Sequence, residues 1–184
     1  MSEADGVVVD DTGTGDWSER VRSTYLQVRA PLWRAVVAWS GSIDVADEAV
    51  AEGFAQLLRR GPVVRDPAAW VWRASFRVAA GDLQRRRRDV GSASIDALGG
   101  VVGPVDRLPE DALDLVAALA RLSEQQRQCI ALVDVAGHTA PSAAAVLGTS
   151  AATVRVQLMR GRRRLRALLE ESTEGVAAAA EEDR

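Results

Sequence analysis

Between Gly91 and Pro109 the chain carries four Gly and two Pro and little apolar period. A stretch of about 20 such residues is too long for a turn inside one compact domain. On both sides of it, Ala, Leu and Arg dominate, which favour helix. Aromatic residues make up only 4%, and β-branched alternation is sparse. The 184 residues therefore read as all-α, two small helical domains joined by a flexible linker. The expected boundaries are an acidic disordered arm over 1–16, a helical domain over 17–90, the linker over 91–109, a second helical domain over 110–170 and an acidic tail over 171–184.

The formal net charge is -3, which taken as one number argues against a polyanionic partner. Its distribution reverses that reading. Residues 1–16 sum to -5 and residues 170–184 to -5, so the body between them carries +7. All 23 basic side chains are Arg. Each cationic position thus presents a planar fork matched to phosphate.

Several classes are excluded. One Cys, Cys129, rules out a disulfide framework and a cysteine-rich zinc site. No apolar run approaches the roughly 20 residues of a membrane span. The start Ser2-Glu3-Ala4-Asp5 is acidic where a secretory signal is basic. A cytoplasmic protein without membrane insertion is expected. There is no Gly-rich phosphate loop, metal-ligand cluster or nucleophile–base pair, so no enzyme, cofactor, metal or small-molecule substrate is expected. His138, the only His, falls in an expected turn and reads as a solvated loop residue. Cys129 reads as core.

The N-terminal half predicts three helices. The first spans about Ser18 to Trp39, with Pro31 kinking or breaking it. The second runs from a cap at Asp44 to about Arg60 and stops at Gly61-Pro62. The third starts at Asp66-Pro67, with Asp as cap and Pro at the first helical position. On the second helix, Asp44, Asp47, Glu48 and Glu52 share one arc with no base among them. Such an arc is either a solvated face or a dock for a basic partner helix. On the third, Trp70, Arg73, Arg77, Gln84 and Arg88 fall within about 60° of one another at 100° per residue. Arg neutralises phosphate and Trp stacks on an unpaired base. The bland alternative makes Trp70 core and the Arg residues solvated. Arg85-Arg86-Arg87-Arg88 adds to the nucleic-acid case, since adjacent cations repel unless an anion relieves them.

In the C-terminal half, helices are expected over Asp111–Arg121 and Ser123–Val135. Gly137-His138 makes a turn, and Thr139 caps a short helix to Leu147. Gly148 breaks it, and Ser150 caps a last helix to about Glu170. Two helices joined at a Gly, the second rich in Arg, form the helix-turn-helix pattern. Val154, Leu158, Leu165 and Leu168 lie on one face of the last helix beside Gly161. Arg155, Val156, Met159, Arg160 and Arg163 lie on the other. Arg155 suits a bidentate bond to guanine. Arg160, Arg162, Arg163, Arg164 and Arg166 suit the phosphate backbone.

In order along the chain, these parts resemble the extracytoplasmic-function group of bacterial RNA polymerase sigma factors. Asp47-Glu48-Ala49-Val50-Ala51-Glu52-Gly53-Phe54 is similar to the acidic stretch of conserved region 2. Asp66-Pro67-Ala68-Ala69-Trp70-Val71-Trp72-Arg73 followed by Leu83-Gln84-Arg85-Arg86-Arg87-Arg88 is similar to the promoter-melting stretch of that region. Leu122-Ser123-Glu124-Gln125-Gln126-Arg127 resembles the opening of region 4. Gly148-Thr149-Ser150-Ala151-Ala152-Thr153-Val154-Arg155 and Arg160-Gly161-Arg162-Arg163-Arg164-Leu165 resemble its reading helix. The likeness covers about residues 17–170.

The resemblance implies a region 2-like three-helix or four-helix bundle and a region 4-like helix-turn-helix domain. It implies docking on core RNA polymerase, at the β′ clamp helices through Asp47, Glu48, Glu52 and Phe54, and at the β flap. Trp70, Arg73, Arg77, Gln84, Arg85 and Arg88 would meet the minus-10 promoter DNA. Ser150, Thr153, Arg155, Val156, Met159, Arg160 and Arg163 would meet the minus-35 element. An anti-sigma factor would be a regulatory partner.

This chain departs from the pattern at Ala51, where Gln is usual, and at Arg77, where Asn is common. Ala140-Pro141-Ser142-Ala143 lacks the usual acid and large apolar side chain. Val156 and Gln157 replace a common Ser and Arg, which points to a non-standard minus-35 preference or weak reading there. Two other readings fit the same residues. One is a helix-turn-helix DNA-binding regulator acting without polymerase; the other is a degenerate sigma relative acting as an interaction protein.

Overall fold

The computed structural model describes residues 12–89 and 110–182. Residues 1–11 of the arm expected over 1–16, and the linker expected over 91–109, lie outside the described residues. Within them the fold is helical, with no strand. Helix α1 spans Thr12–Ser40, α2 Ile43–Arg60, α3 Pro67–Asp89, α4 Glu110–Ala120, α5 Glu124–Ile130, α6 Ala140–Leu147 and α7 Ala151–Glu182. A 3-10 turn, Gly61–Val63, joins α2 to α3, and a π-helical segment, Ala131–Val135, continues α5.

The helix starts follow from side chains that satisfy the first free N–H groups. Ser42 Oγ accepts from Val45 N–H at 3.3 Å, so the cap of α2 is Ser42 and not Asp44. Asp66 Oδ1 accepts from Ala69 N–H at 2.9 Å, with Pro67 as first helical residue. Ser123 and Gln126 form a reciprocal capping box at the start of α5. Thr139 Oγ1 and Ser150 Oγ cap α6 and α7 through the N–H groups of Ser142 and Thr153. Gly148 ends α6 at φ 67°, a left-handed turn that glycine adopts without Cβ strain.

Three expectations about helix limits are corrected. Helix α1 begins at Thr12, inside the segment expected to be disordered, and passes Pro31 without ending. A proline removes one donor, yet Leu32, Ala35 and Val36 beyond it are fully buried. Packing therefore holds the helix through that position. Helix α7 continues to Glu182, past the expected stop near Glu170.

Helices α1, α2 and α3 pack on one another, and α7 packs on α5 and α6. Trp39, Leu32, Leu57 and Val71 fill the first group, and Leu119, Leu132, Val154 and Leu168 the second. The two groups also meet. Helix α1 packs against α4, α5 and the π segment, and α3 packs against α6. Trp39 stacks on Phe76 with centroids 5.0 Å apart and planes 8° from parallel. Trp72, 6% exposed, reaches from Phe76 to the ring of His138 in the other half. His138 is therefore half-buried and not the solvated loop residue its turn position suggested. It donates its backbone N–H to Leu132 and bonds Ser142 Oγ through Nδ1 at 2.7 Å. Cys129 is buried, and desolvation raises its thiol pKa.

Candidate nucleic-acid interface

The face of α7 that packs inward holds Val154, Leu158 and Leu168, with Gly161 where the helix crosses α5. A Cβ on Gly161 would lie 3.0 Å from Ile130 Cδ1 and 3.2 Å from Gln126 Cβ. Glycine here sets how closely the two helices approach. The opposite face carries Ala152, Val156, Met159 and Arg163, with Arg155 on one flank and Arg160 on the other, all exposed. Ser150 Oγ lies 2.8 Å from Thr153 Oγ1, so both hydroxyls are engaged at the helix start. Gln157 Nε2 donates to Gln125 Oε1 at 3.2 Å.

Arg162 departs from its expected place on the phosphate face. It clasps Asp134 of the π segment, with Nε 3.1 Å from Oδ2 and Nη2 bonded to Oδ1. The fork ties α7 to the preceding helix. The hydrogen bond to Asp134 raises the guanidinium pKa above its ordinary value.

On α3 the sequence arc divides. Val71, Trp72, Ser75, Phe76, Ala79 and Leu83 are buried, as their period implies. Trp70 is partly buried and packed against the core, which limits the face it offers to a base. Arg73 and Arg77 line a cleft of about 320 Å³ whose other wall includes Val146, Leu147 and Gly148. Gln84 and Arg88 are exposed. The four-arginine run is largely relieved from within. Asp82, 8% exposed, accepts from Arg85 at 3.1 Å and Arg86 at 2.7 Å. Arg87 donates to Glu124 of α5 at 3.0 Å and so bridges the two halves. The cluster therefore does not by itself require a polyanion.

The acidic arc of α2 is solvent-facing, but its members differ. Asp44 and Glu48 are exposed. Asp47 Oδ1 accepts from Trp33 Nε1 at 2.7 Å. Glu52 Oε1 accepts from Gln56 at 2.9 Å and Arg59 at 2.6 Å. These bonds, Gln56 first and Arg59 next, hold the carboxyl below the usual carboxylate range. Phe54 is not on this surface. It is 7% exposed and meets Tyr25 edge-on at 5.0 Å. Phe54 thus packs between α2 and α1, beneath the arc that carries the exposed acids.

Residues 112–165 match the family described as Sigma-70, region 4. Over 160 residues the chain is 27% identical to the ECF RNA polymerase sigma factor EcfG of Rhodopseudomonas palustris (strain TIE-1), covering 83% of this chain and 86% of that protein. The fold is similar to that of the sigma factor RpoE from Bartonella quintana, solved in complex with the anti-sigma factor NepR. That likeness has a TM-score of 0.66 at 23% identity and covers 83% of this chain and 98% of that one. It is also similar to CnrH in complex with the cytosolic domain of CnrY, with a TM-score of 0.64 at 24% identity over 87% and 94% of the two chains. Residues 112–165 thus match Sigma-70 region 4, and over most of its length the chain is similar to an extracytoplasmic-function sigma factor.

Helix α6, the Gly148 turn and the first half of α7 lie inside the matched region 4 segment. Sequence reading overlooked Asp82, Asp134 and Glu124, the acids that take up Arg85, Arg86, Arg162 and Arg87. Only the i, i+3 and i, i+4 spacing of Asp82 to its arginines was a local signal. No described helix of the chain is long and apolar enough to cross a membrane.

Proposed function

We propose that this chain is an alternative sigma factor that binds core RNA polymerase, recognises minus-35 and minus-10 promoter elements and promotes DNA opening. The outward face of α7 carries the reading. It is a capped helix following a left-handed Gly148, with Arg155, Arg160 and Arg163 exposed toward solvent. A polyanionic groove is the partner such a face fits, since each fork matches a phosphate or a guanine edge.

On this reading, a region 4-like unit over residues 110–170 presents Ser150, Thr153, Arg155, Val156, Met159, Arg160 and Arg163 to the minus-35 element and meets the β flap. A region 2-like unit over 17–90 docks on the β′ clamp helices through Asp47, Glu48 and Glu52, with Phe54 bracing the helix that bears them. The minus-10 strand meets Arg73 and Arg77, flanked by Trp70, Gln84, Arg85 and Arg88. Arg73 and Arg77 share their cleft with α6. Arg77 is exposed but Arg73 is only partly so, so movement of α6 would open Arg73 fully to a melted strand and couple promoter engagement to separation of the halves. The linker over 91–109 would permit it. The protein acts in the cytoplasm, and an anti-sigma factor is its proposed regulator, as with the relatives solved beside NepR and CnrY.

A second reading, a sigma relative that occupies polymerase without initiating, draws on the placement of α6 against Arg73 and Arg77. Run-off transcription with core polymerase over genomic fragments separates the two. A promoter-dependent transcript is expected. Polymerase binding with no transcript on any fragment selects the second reading, and neither binding nor transcript overturns both.

A further inference from the structure

The ridge of α7 that points most directly away from the core is apolar. Ala152, Val156 and Met159 lie along it before Arg163. Val156 is 43% and Met159 64% exposed. Polar side chains beside this ridge are already engaged: Thr153 with Ser150, and Gln157 with Gln125. Arg155 and Arg160 flank the ridge on opposite sides. An exposed apolar pair between cations at the start of a reading helix has one counterpart in a major groove. Base edges there present donors and acceptors, and the sole apolar group among them is the thymine methyl. Val156 and Met159 are three residues apart, a rise of about 4.5 Å. One base-pair step is about 3.4 Å, so the two side chains fall on neighbouring base pairs.

We propose that Val156 and Met159 are specificity residues that read the 5-methyl groups of thymines on neighbouring base pairs, while Arg155 and Arg160 fix the register on the flanking strands. The inference rests on the promoter-reading function above and names the base feature recognised. Burying a methyl contributes about 0.8 kcal/mol, which is about fourfold in affinity per thymine.

The test uses holoenzyme assembled from the full chain and core RNA polymerase. Duplexes with a randomised ten-base-pair stretch are selected by binding, then resynthesised with deoxyuridine replacing each thymidine in turn. Deoxyuridine keeps every hydrogen bond and removes only the methyl. The expected result is a three- to fivefold loss at one or two positions, and disappearance of that discrimination in Val156→Ser and Met159→Gln. Circular dichroism confirms that these surface variants fold. Indifference to deoxyuridine at every position overturns the proposal, as does discrimination that survives both variants. If the variants fail to assemble with polymerase where the parent succeeds, the ridge is a protein contact and the proposal is overturned. Failure of the parent to enrich any sequence overturns the promoter-reading function itself.

Discussion

The ring of His138 meets the ring of Trp72 edge-on, with centroids 4.3 Å apart and planes at 84°. This contact joins the turn before α6 to the second turn of α3, across the two halves of the chain. An edge-to-face pair adds about 1 kcal/mol beyond the area it buries. His138→Ala is expected to raise hydrogen exchange at α6 and at the Arg73–Arg77 wall while leaving the α1–α2 core protected. Equal protection in variant and parent would show that the contact does not hold the halves together.

Burial lowers the His138 pKa from its ordinary 6.5. The folded chain therefore binds fewer protons than the unfolded chain in mild acid. Stability from this group is present above pH 6.5 and is lost as pH falls through the folded value. Between pH 7.5 and 5.5, the parent should lose more thermal stability than His138→Gln, which cannot titrate. Parallel losses would contradict this assignment.

Gly53 of α2 lies directly against Ser75 of α3. A Cβ on Gly53 would sit 2.1 Å from Ser75 Oγ, a hydroxyl buried without a hydrogen-bond partner. Gly53→Ala should destabilise by about 1–3 kcal/mol through overpacking. Ser75→Ala removes an unsatisfied polar group and should stabilise by about 1 kcal/mol. In the Ser75→Ala background, the cost of Gly53→Ala should fall markedly. Chemical denaturation of the four proteins in this cycle reads the coupling.

Arg162 and Arg163 are sequence neighbours with different expected roles. Arg162→Ala breaks the fork to Asp134 and should lower stability by less than about 1 kcal/mol, because the pair is partly exposed. Arg163→Ala should leave stability unchanged and reduce the salt dependence of DNA binding by about one unit of slope. The reverse pattern would place the phosphate contact on the wrong residue.

Glu48 is an exposed member of the acidic arc between two acids already bonded to Trp33, Gln56 and Arg59. Glu48→Arg should slow association with core polymerase most strongly at low salt, with little change in melting temperature. Association that is unaffected at low salt would remove this face from the docking surface.

Helix identity and most starts were legible because they depend on neighbours in sequence. Asp66-Pro67, Ser123, Thr139 and Ser150 each cap the helix that follows them. The burial of Val154, Leu158 and Leu168 follows from helical period alone. Ser42 was missed in favour of Asp44, one turn-forming residue among several, since spacing does not say which side chain lies nearest a free N–H.

The sequence by itself determined an all-helical chain, the sides of α3 and α7 that face inward, and a charge pattern of basic body between acidic ends. Those properties are set by composition and period, which act over a few residues. Tertiary structure alone decided which charges are free. Asp134 lies 28 residues from Arg162, and Glu124 lies 37 from Arg87, and no local pattern pairs groups so far apart. It also decided that Trp72 spans to His138 and that Arg73 and Arg77 face α6. An apolar stripe records that it will be covered, but its partner depends on how the helices cross. That crossing is set where residues such as Gly53 and Gly161 let two backbones come close.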